Sequence, residues 1–350
     1  MTDKLNIGII GLGGIANLHH SGWERVENAR VVAGSDINPA MLERWQTEYG
    51  VANLTTEPSE LIDDPDIDVI DICTPNRFHT DFTVAALEAG KHVLCEKPLA
   101  PTVAEIEKMI AARDRSGKLL MTGQHFRFTG AAQAIKQEIA KGALGDIYHA
   151  RAWWLRRSGV PTRPTFIYKD ISAGGVNLDL GVHVLDLAMW FMGNPQPVAV
   201  SGVTRTELAK QDGAFSVWGG DIPADIDVDE FSAGFIRFEN GATLVLEVSW
   251  MLHHNPPEDY QTWLYGTNGG AHWPSAGLYQ TDNQVKQHYD VSLKLTEDKI
   301  RPHHQEIEAF AQAIRNGGTS PVPAEQSLQV TKVLQALYES SCTGHEVVIA

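Results

Sequence analysis

The twelve residues LNIGIIGLGGIA, numbered 5–16, decide the fold of this chain. Leu5–Ile10 is an apolar run typical of a buried strand, and Gly11–Ala16 is a G-x-G-x-x-A turn with a helix predicted to follow. The first glycine, Gly11, permits the tight bend, the second, Gly13, lets the backbone approach a pyrophosphate, and the small Ala16 allows close packing of helix on strand. The helix N-terminus then presents unpaired N–H groups and a positive dipole end to phosphates. The stretch therefore predicts a dinucleotide-binding turn.

Asp36 ends the second predicted strand, Arg30–Asp36. A carboxylate at that place accepts hydrogen bonds from the ribose hydroxyls of adenosine and repels a 2′-phosphate. The next residues, Ile37–Ala40, contain no Arg or Lys to hold such a phosphate, so the sequence favours NAD over NADP. Two alternatives stay open. The glycine turn can merely join strand and helix with Asp36 as a helix cap, or it can belong to a methyltransferase, although the long βαβ continuation fits that class less well.

The first 122 residues continue to alternate strand and helix patterns. Further strands are predicted at Asp68–Cys73, His92–Cys95 and Leu119–Thr122, and helices at Pro39–Tyr49, Arg77–Ala89 and Thr102–Ser116. Alternation with continuous apolar strands indicates a parallel sheet covered on both faces. The predicted fold class is therefore α/β, with a doubly wound parallel sheet over residues 1–123.

After Gly123 the pattern changes to a largely antiparallel one. The predicted helices are Ala131–Lys141, Gly181–Met192, 305–315 and 324–341, and the predicted strands are Asp146–Leu155, Val198–Thr204, Phe231–Phe238, Thr243–Trp250 and Tyr260–Tyr265. Asn240-Gly241 between the third and fourth of these strands is a strong hairpin signal. Residues 158–175 are interpreted as a loop, and the acidic segment 208–228 fits no element. The second domain is predicted to span residues 124–350, with a C-terminal helix that can pack back on the first domain.

Composition excludes several classes of protein. The 350 residues include 28 basic and 44 acidic residues, a net charge of −16, which argues against nucleic-acid and anionic-membrane partners. A hydrophobic fraction of 43% with 21% charged residues predicts a packed core. Three cysteines, Cys73, Cys95 and Cys342, without a C-x-x-C pair suggest neither disulfides nor a zinc site. Without a secretory pattern or an apolar run of membrane length, the sequence predicts a cytoplasmic protein.

Two clusters carry the chemistry. Glu96-Lys97-Pro98 directly follows a predicted strand, and in doubly wound sheets ligands lie beyond the carboxyl ends of the strands, so Lys97 is predicted near a nicotinamide. The alternative is an exposed, solvated lysine.

The second cluster is Gly174–Asp186. Asp179 and His183 are four residues apart, which places them on one face of a helix, where Asp179 can orient a catalytic imidazole. The alternative is that Asp179 caps the helix and His183 is an interior histidine. The His pairs 19–20, 253–254 and 303–304 are adjacent in sequence and diverge in regular structure, so no metal site is predicted.

Together these motifs resemble the glucose–fructose oxidoreductase, inositol dehydrogenase and rhizopine catabolism (Gfo/Idh/MocA) superfamily over nearly the whole chain. The marks are the Gly11–Ala16 turn, Cys73-Thr74-Pro75-Asn76 with His79, Glu96-Lys97-Pro98, the D-x-G-x-H-x-x-D pattern within Gly174–Asp186, and Gly234-Phe235-Ile236 through Phe238–Gly241. One departure concerns the family's Tyr-Asn-Arg-Arg-Phe, which is Gln124-His125-Phe126-Arg127-Phe128 here and leaves the substrate open.

The resemblance implies a role for each matching residue. The catalytic residues are Lys97, Asp179 and His183. The cofactor-binding residues are Gly11, Gly13, Gly14, Ile15, Ala16, Asp36, Ile37, Thr74, Pro75, Asn76, His79, Glu96, Lys97 and Gln124. Candidate substrate residues are His125, Arg127, Arg156, Arg157 and Tyr168, with Trp153, Trp154, Trp250 and His253 as further candidates, and ordinary packing is the alternative for each of them.

The resemblance also implies an activity and an assembly. The fold is a Rossmann domain followed by an α/β domain with an open sheet for substrate binding and oligomerisation, in a homodimer or homotetramer. The activity is hydride transfer between NAD and a secondary alcohol of a sugar, glycoside, anhydrosugar or cyclitol, and the run Arg156–Pro161 resembles members that act on glycosides or anhydrosugars. The alternatives are a non-catalytic NAD-binding regulator, an enzyme whose tightly held NAD is reduced and reoxidised in place, and a dihydrodiol or biliverdin-type reductase.

Overall fold

The computed structural model describes residues 4–295 and 300–349, so residues 1–3, 296–299 and 350 lie outside the described part. The chain forms two compact units, one of residues 1–128 with 300–328 and the other of residues 129–299 with 329–350. The sequence-based division at residues 123 and 124 therefore differs from the structure, chiefly because residues 300–328 belong to the first unit.

Eleven helices occur within the described residues, together with two 3₁₀ turns, at Asn76–Phe78 and His125–Phe128, and a π-helical turn at Asn177–Gly181. The helices are α1 (Gly14–Trp23), α2 (Pro39–Tyr49), α3 (Pro58–Asp63), α4 (His79–Glu88), α5 (Val103–Ser116), α6 (Gly130–Ala140), α7 (Pro164–Ile167), α8 (Lys169–Ser172), α9 (Val182–Phe191), α10 (Pro302–Arg315) and α11 (Ala324–Thr343). In the described part of the chain, no helix has both the length and the apolar character needed to cross a membrane.

The first unit contains a six-stranded parallel sheet in the order β3-β2-β1-β4-β5-β6. Its strands are β1 (Leu5–Ile10), β2 (Ala29–Ser35), β3 (Asn53–Thr55), β4 (Val69–Ile72), β5 (His92–Cys95) and β6 (Leu120–Thr122). This order is that of the doubly wound dinucleotide-binding sheet, so the predicted α/β class is confirmed. Helices α2 and α5 begin with caps, since Asn38 accepts the N–H of Ala40 and Thr102 forms a capping box with Glu105.

Helix α10 explains why residues 300–328 join the first unit. Its buried face includes Ile307 and Phe310, which lie in one apolar cluster with strand β1 and with Trp23 of α1. The approach is close, because a Cβ added to Gly22 would lie 2.6 Å from Cδ1 of Ile307. An amphipathic helix buries its apolar stripe wherever a matching surface exists, and sequence separation does not restrict the choice.

The second unit contains a nine-stranded sheet in the order β16-β15-β14-β13-β7-β12-β11-β8-β17. The strands of this unit are β7 (Ile147–Arg156), β8 (Pro197–Arg205), β9 (Phe215–Ser216), β10 (Gly220–Asp221), β11 (Phe231–Phe238), β12 (Thr243–Ser249), β13 (Glu258–Gly266), β14 (Gly270–Trp273), β15 (Gly277–Asp282), β16 (Gln287–Ser292) and β17 (Val347–Val348). Within this nine-stranded sheet, the β7–β12 pair is the only parallel one among the strand pairs described, so the predicted largely antiparallel sheet is confirmed. The Asn240-Gly241 hairpin between β11 and β12 is confirmed as well. Strands β9 and β10 form a separate small hairpin within the segment that the sequence did not place.

Replacing Ile307 by Ala tests the assignment of α10 to the first core. The change removes a fully buried side chain and leaves a cavity beside Gly22, so we expect the free energy of unfolding to fall by about 3 kcal/mol. The urea unfolding midpoint measures the loss. Glu308→Ala, one residue further on the exposed side of α10, is the matched control and should leave the midpoint nearly unchanged. Equal effects of the two substitutions would contradict the packing described.

Candidate active site

The glycine turn after β1 is shaped for close approach by a ligand. Gly11 has φ +89°, and a Cβ there would lie 2.8 Å from the carbonyl of Cys73, so a side chain at this position is excluded. At Gly13, by contrast, an added Cβ would meet no atom within 4 Å. Gly13 is also the N-cap of α1, whose first turn has neither a side-chain cap nor an acidic residue. The turn therefore fits the pyrophosphate of a dinucleotide, as the sequence predicts.

The carboxylate of Asp36 braces this turn. Oδ2 accepts the N–H of Leu12 at 2.9 Å, and Oδ1 accepts the N–H of Asn38 at 2.8 Å. Asn38, not Asp36, is the N-cap of α2. The alternative of Asp36 as a simple helix cap is thus excluded, and its half-buried carboxylate lies beside the turn that would hold the phosphates. The neighbouring Ile37 side chain is exposed and presents no positive charge.

His79 links two loops that follow β4 and β5. Its ring nitrogens lie 2.9 Å from the carbonyl oxygen of Thr74 and 2.8 Å from that of Pro98. Burial lowers the pKa of His79, so the neutral ring donates one of these two bonds. The contacts hold the Thr74–Asn76 loop against the cis Lys97–Pro98 turn, where Lys97 is half-buried.

A buried ion-pair cluster lies directly under this turn. His19 is completely buried, with Nε2 3.0 Å from Oε1 of Glu96 and Nδ1 2.9 Å from Oδ1 of Asp71. Burial opposes the charge on His19, but the charge and hydrogen bond of Asp71 and the nearby Cys73 outweigh it and raise its pKa well above 6.5. Burial likewise opposes the charge on Glu96, yet the bond and charge of His19 and the charge of Lys97 hold its pKa at about 2. We therefore describe an imidazolium that donates to two carboxylates.

The cluster positions the backbone of Lys97. The second oxygen of Glu96, Oε2, accepts the N–H of Lys97 at 3.0 Å. One oxygen of Glu96 thus binds His19, and the other holds the backbone N–H of Lys97. Sequence reasoning missed His19, because its partners Asp71 and Glu96 are 52 and 77 residues away along the chain.

The same cluster has the spacing of a metal site, since His19, Asp71 and Cys73 offer ligand atoms within 4.8 Å of one another. Hydrogen bonds account for this closeness. Both ring nitrogens of His19 lie on carboxylates, and Trp23 Nε1 donates to Asp71 Oδ2 at 2.7 Å. Burial first, and then Asp71, raises the pKa of the Cys73 thiol to about 12, which keeps the thiol protonated and a poor ligand. We assign the group as an ion-pair cluster.

The Gln124–Phe128 segment is tied into the first unit. Glu306 of α10 is fully buried and accepts the N–H of Gln124, and burial together with the charge of Glu96 raises its pKa well above 4.5. The rings of His125 and His303 stack with centroids 4.0 Å apart, and burial lowers their pKa values to about 3 and about 4. Arg127 is buried and donates to Gln326 Oε1 at 2.5 Å. Both histidines are therefore neutral at physiological pH.

In the second unit, the Gly174–Asp186 block forms the π-helical turn Asn177–Gly181 and then enters α9. Such turns are frequent at functional sites, since the extra residue redirects side chains. Asp179 lies in this turn, with Oδ2 accepting the indole N–H of Trp250 at 2.9 Å and lying 3.8 Å from Nη1 of Arg156. His183 lies in the first turn of α9, is 5% exposed, and has its ring 5.9 Å from that of Trp154.

Asp229 anchors the start of this block. Its Oδ1 accepts the Tyr338 hydroxyl at 2.7 Å and the N–H of Gly175 at 3.0 Å, and its Oδ2 accepts the N–H of Asn177 at 3.3 Å. The packing demands glycine, because a Cβ on Gly175 would lie 2.0 Å from the carbonyl oxygen of Asp229. The two glycines that open the block, Gly174 and Gly175, thus allow another part of the backbone to come close, and Asp229 is a supporting residue that the sequence did not reveal.

Arg156 connects the aromatic residues around Asp179. Its Nε donates to Glu258 Oε1 at 2.7 Å, which also accepts the indole N–H of Trp154 at 2.7 Å. The guanidinium lies over the rings of Trp154 and Trp218, at 5.0 and 4.1 Å from their centroids.

The other predicted substrate residues of the second unit lie in different surroundings. Tyr168 donates its hydroxyl to Asp225 at 3.0 Å, and Trp153 donates its indole N–H to Asp259 at 2.8 Å. Arg157 and His253 are exposed. The structure therefore groups Arg156, Trp154 and Trp250 around Asp179.

Comparison with known proteins agrees with this geometry. A family model described as "Oxidoreductase family, NAD-binding Rossmann fold" matches residues 5–124, and the "GFO/IDH/MocA C-terminal domain" model matches residues 132–272. D-glucoside 3-dehydrogenase of Escherichia coli is 32% identical over 99% of this chain and 98% of its own length. Levoglucosan dehydrogenase of Pseudarthrobacter phenanthrenivorans is 32% identical over 76% of this chain and 73% of its own. A solved levoglucosan dehydrogenase in complex with NADH and levoglucosan superposes with a TM-score of 0.85 at 26% identity, covering 99% of this chain and 100% of that one.

The ion pairs of His19 are predicted to stabilise the protein most at intermediate pH. The Glu96 pKa is lowered from 4.5 to about 2, so its contribution is full above pH 4.5 and is lost as the pH falls towards 2. The His19 pKa is raised, so its contribution is full below pH 6.5 and is lost as the pH rises through the folded pKa. The stability advantage of the wild type over His19→Gln should therefore be greatest between these limits and fall on both sides.

Urea unfolding midpoints from about pH 3 to about pH 9 measure this advantage. His20→Gln is the matched control, because burial lowers the pKa of His20. Its contribution is lost as the pH falls, so the advantage of the wild type over this variant should only rise with pH. A flat profile for His19→Gln would contradict the ion-pair assignment.

Proposed function

Because this chain belongs to the Gfo/Idh/MocA family of oxidoreductases, we propose that it is an NAD-dependent dehydrogenase acting on a secondary alcohol of a sugar, glycoside, anhydrosugar or cyclitol. The observation that carries the proposal is the support built around Asp179 and His183. The π-helical turn, the Asp229 anchor and the Trp250 indole all organise the segment that bears these two residues. A chain that only sensed NAD would not need an ionisable pair held in this way.

The roles of the catalytic residues follow from their chemistry. Bound NAD supplies the hydride acceptor at its nicotinamide ring. His183 is the general base that takes the proton of the substrate hydroxyl. Asp179 orients His183 or binds a neighbouring hydroxyl, and its carboxylate is kept in place by Trp250. Lys97 donates a hydrogen bond to the reacting oxygen and stabilises the charge that develops there.

The first unit supports these roles by fixing the cofactor-binding loops. The Asp36 carboxylate holds the glycine turn through Leu12, and Glu96 holds the backbone of Lys97. Thr74, Asn76 and Glu96 line the nicotinamide side in this proposal, as the family resemblance implies. Preference for NAD follows from Asp36, whose negative charge disfavours a 2′-phosphate, and from the exposed, apolar Ile37 beside it.

The first experiment measures NADH absorbance with purified protein and NAD⁺ across cyclitols, free sugars, glycosides and anhydrosugars. Accumulation of free NADH with one class establishes the dehydrogenase. Absence of NADH with every compound, together with tight NAD⁺ binding by calorimetry, would instead favour the regulator or the enzyme that cycles its cofactor in place.

His183→Ala tests the general base. We expect kcat to fall by about a thousandfold, because no side chain then takes the hydroxyl proton, while the Kd for NAD⁺ stays unchanged. Steady-state kinetics and calorimetry measure the two quantities. Lys97→Ala should lower kcat in the same way, and the exposed His345→Ala is the control that should leave both quantities unchanged. A parallel loss of NAD⁺ binding and turnover in His183→Ala would contradict the assigned role.

Asp36→Ala tests the choice of cofactor. Wild-type protein should bind NAD⁺ at least about tenfold more tightly than NADP⁺. The substitution should weaken NAD⁺ binding and bring the Kd values for the two cofactors closer together. Asp36→Asn removes the charge but keeps an oxygen that can accept the N–H of Leu12. This variant therefore separates repulsion of the 2′-phosphate from loss of the hydrogen bond that holds the glycine turn. Equal Kd values for the two cofactors in the wild type would overturn the preference for NAD.

A further inference from the structure

The hairpin of β9 and β10 exposes three large apolar side chains. Phe215, Val217 and Trp218 are 56%, 69% and 57% exposed, although each would gain from burial. Two residues of the hairpin thus present aromatic surface to solvent in a chain that buries most of its large apolar residues. Clusters of this kind mark binding sites more often than chance packing.

The hairpin is held rigidly by the segment that follows β7. Ser158 Oγ donates to the carbonyl of Phe215 at 2.6 Å, and the N–H of Val217 donates to the carbonyl of Ser158 at 3.1 Å. Ser216, which is buried, donates its hydroxyl to the carbonyl of Val160 at 2.7 Å. The position of Trp218 is therefore tied to the end of β7, where Arg156 lies.

One guanidinium joins Trp218 to the proposed catalytic carboxylate. Arg156 stacks on the Trp218 ring at 4.1 Å, is bound by Glu258, and extends Nη1 to within 3.8 Å of Asp179. The Arg156 side chain is only 10% exposed, so its stacking is largely desolvated and correspondingly strong. Arg156 therefore occupies one side of the Trp218 indole and also lies beside Asp179, so a single side chain connects the exposed ring to the proposed catalytic carboxylate.

We propose that Trp218 is a stacking platform for the part of the substrate beyond the reacting ring, so that the substrate is a glycoside carrying a second ring. The inference rests on the proposed function, since it takes Asp179 and His183 as the catalytic pair. The reacting alcohol must reach His183, which is 5% exposed, whereas Trp218 is 57% exposed. The indole is therefore placed for a moiety that projects towards solvent, and aromatic faces bind the apolar faces of sugar or aryl rings.

The test compares NADH formation by wild type, Trp218→Ala and Phe215→Ala. The probes are D-glucose and the methyl and phenyl D-glucopyranosides in both anomers. In the wild type, kcat/KM should be highest for a phenyl glucoside. Trp218→Ala should raise KM for that compound by about tenfold at unchanged kcat and leave the constants for glucose as they were. Trp218→Phe should restore the low KM, and Phe215→Ala, equally exposed on the same hairpin, should change nothing.

The outcomes separate this inference from the proposed function. NADH formation with D-glucose, or with a cyclitol of the wider panel, but with none of the glucosides would overturn the platform and leave the proposed dehydrogenase activity standing. An equal effect of Trp218→Ala on glucose and phenyl glucoside would also overturn it. So would a change of oligomeric state in Trp218→Ala by light scattering, because the exposed residues would then cover a partner subunit. No NADH with these compounds or with any cyclitol, free sugar, glycoside or anhydrosugar of the wider panel would overturn both proposals.

Discussion

A carboxylate that leaves water must find donors inside the protein, and this constraint shapes both units of the chain. In the first unit, Asp71 and Glu96 share the imidazolium of His19, and Glu96 then fixes the residue that follows it. In the second, Asp229 gathers two backbone N–H groups and a tyrosine hydroxyl, which defines the start of the π-helical turn. In each unit a buried acid therefore positions the segment that carries a proposed catalytic residue.

Tryptophan indoles act on the carboxylates in a way that cations cannot. Trp23 donates to Asp71, Trp250 to Asp179 and Trp154 to Glu258, at 2.7 to 2.9 Å. An indole N–H is a neutral donor, so it fixes the direction of a carboxylate without cancelling its charge. In the proposed mechanism, Trp250 orients Asp179 beside Arg156, and an oriented carboxylate can stabilise a histidine that has just gained a proton.

The sequence predicted elements with strong local signals closely. Strand β1, helix α2 and strand β11 have the predicted bounds, since continuous apolar runs, a capped start or an Asn-Gly turn mark them. Strands β3 and β14 were missed, because neither contains the apolar run that marks the equally short strands β5 and β6. The parallel sheet covered on both faces followed from the alternation of strands and helices, whereas the order of its strands comes from the structure.

The site was predicted only in part, for a related reason. Motif residues such as Gly11, Asp36 and Asp179 are recognised by their sequence context. His19 and Asp229 are defined instead by contacts with residues at least 52 positions away, and a single sequence does not encode such pairings in its spacing. Trp218 lies in an acidic stretch without periodicity, where only the folded hairpin shows what it contacts.

The path of the chain has a consequence for its biosynthesis. The first unit is made of residues 1–128 and 300–328, and its apolar cluster includes Phe310 and Ile307 as well as Trp23. During translation, one side of α1 stays uncovered until α10 has left the ribosome, which happens only when almost the entire polypeptide has been made. Domains usually fold as units during synthesis, the N-terminal one first. Here the first unit is completed only after residues 300–328 have emerged, so the nascent chain exposes apolar surface of α1 for most of its translation and gives chaperones a binding site.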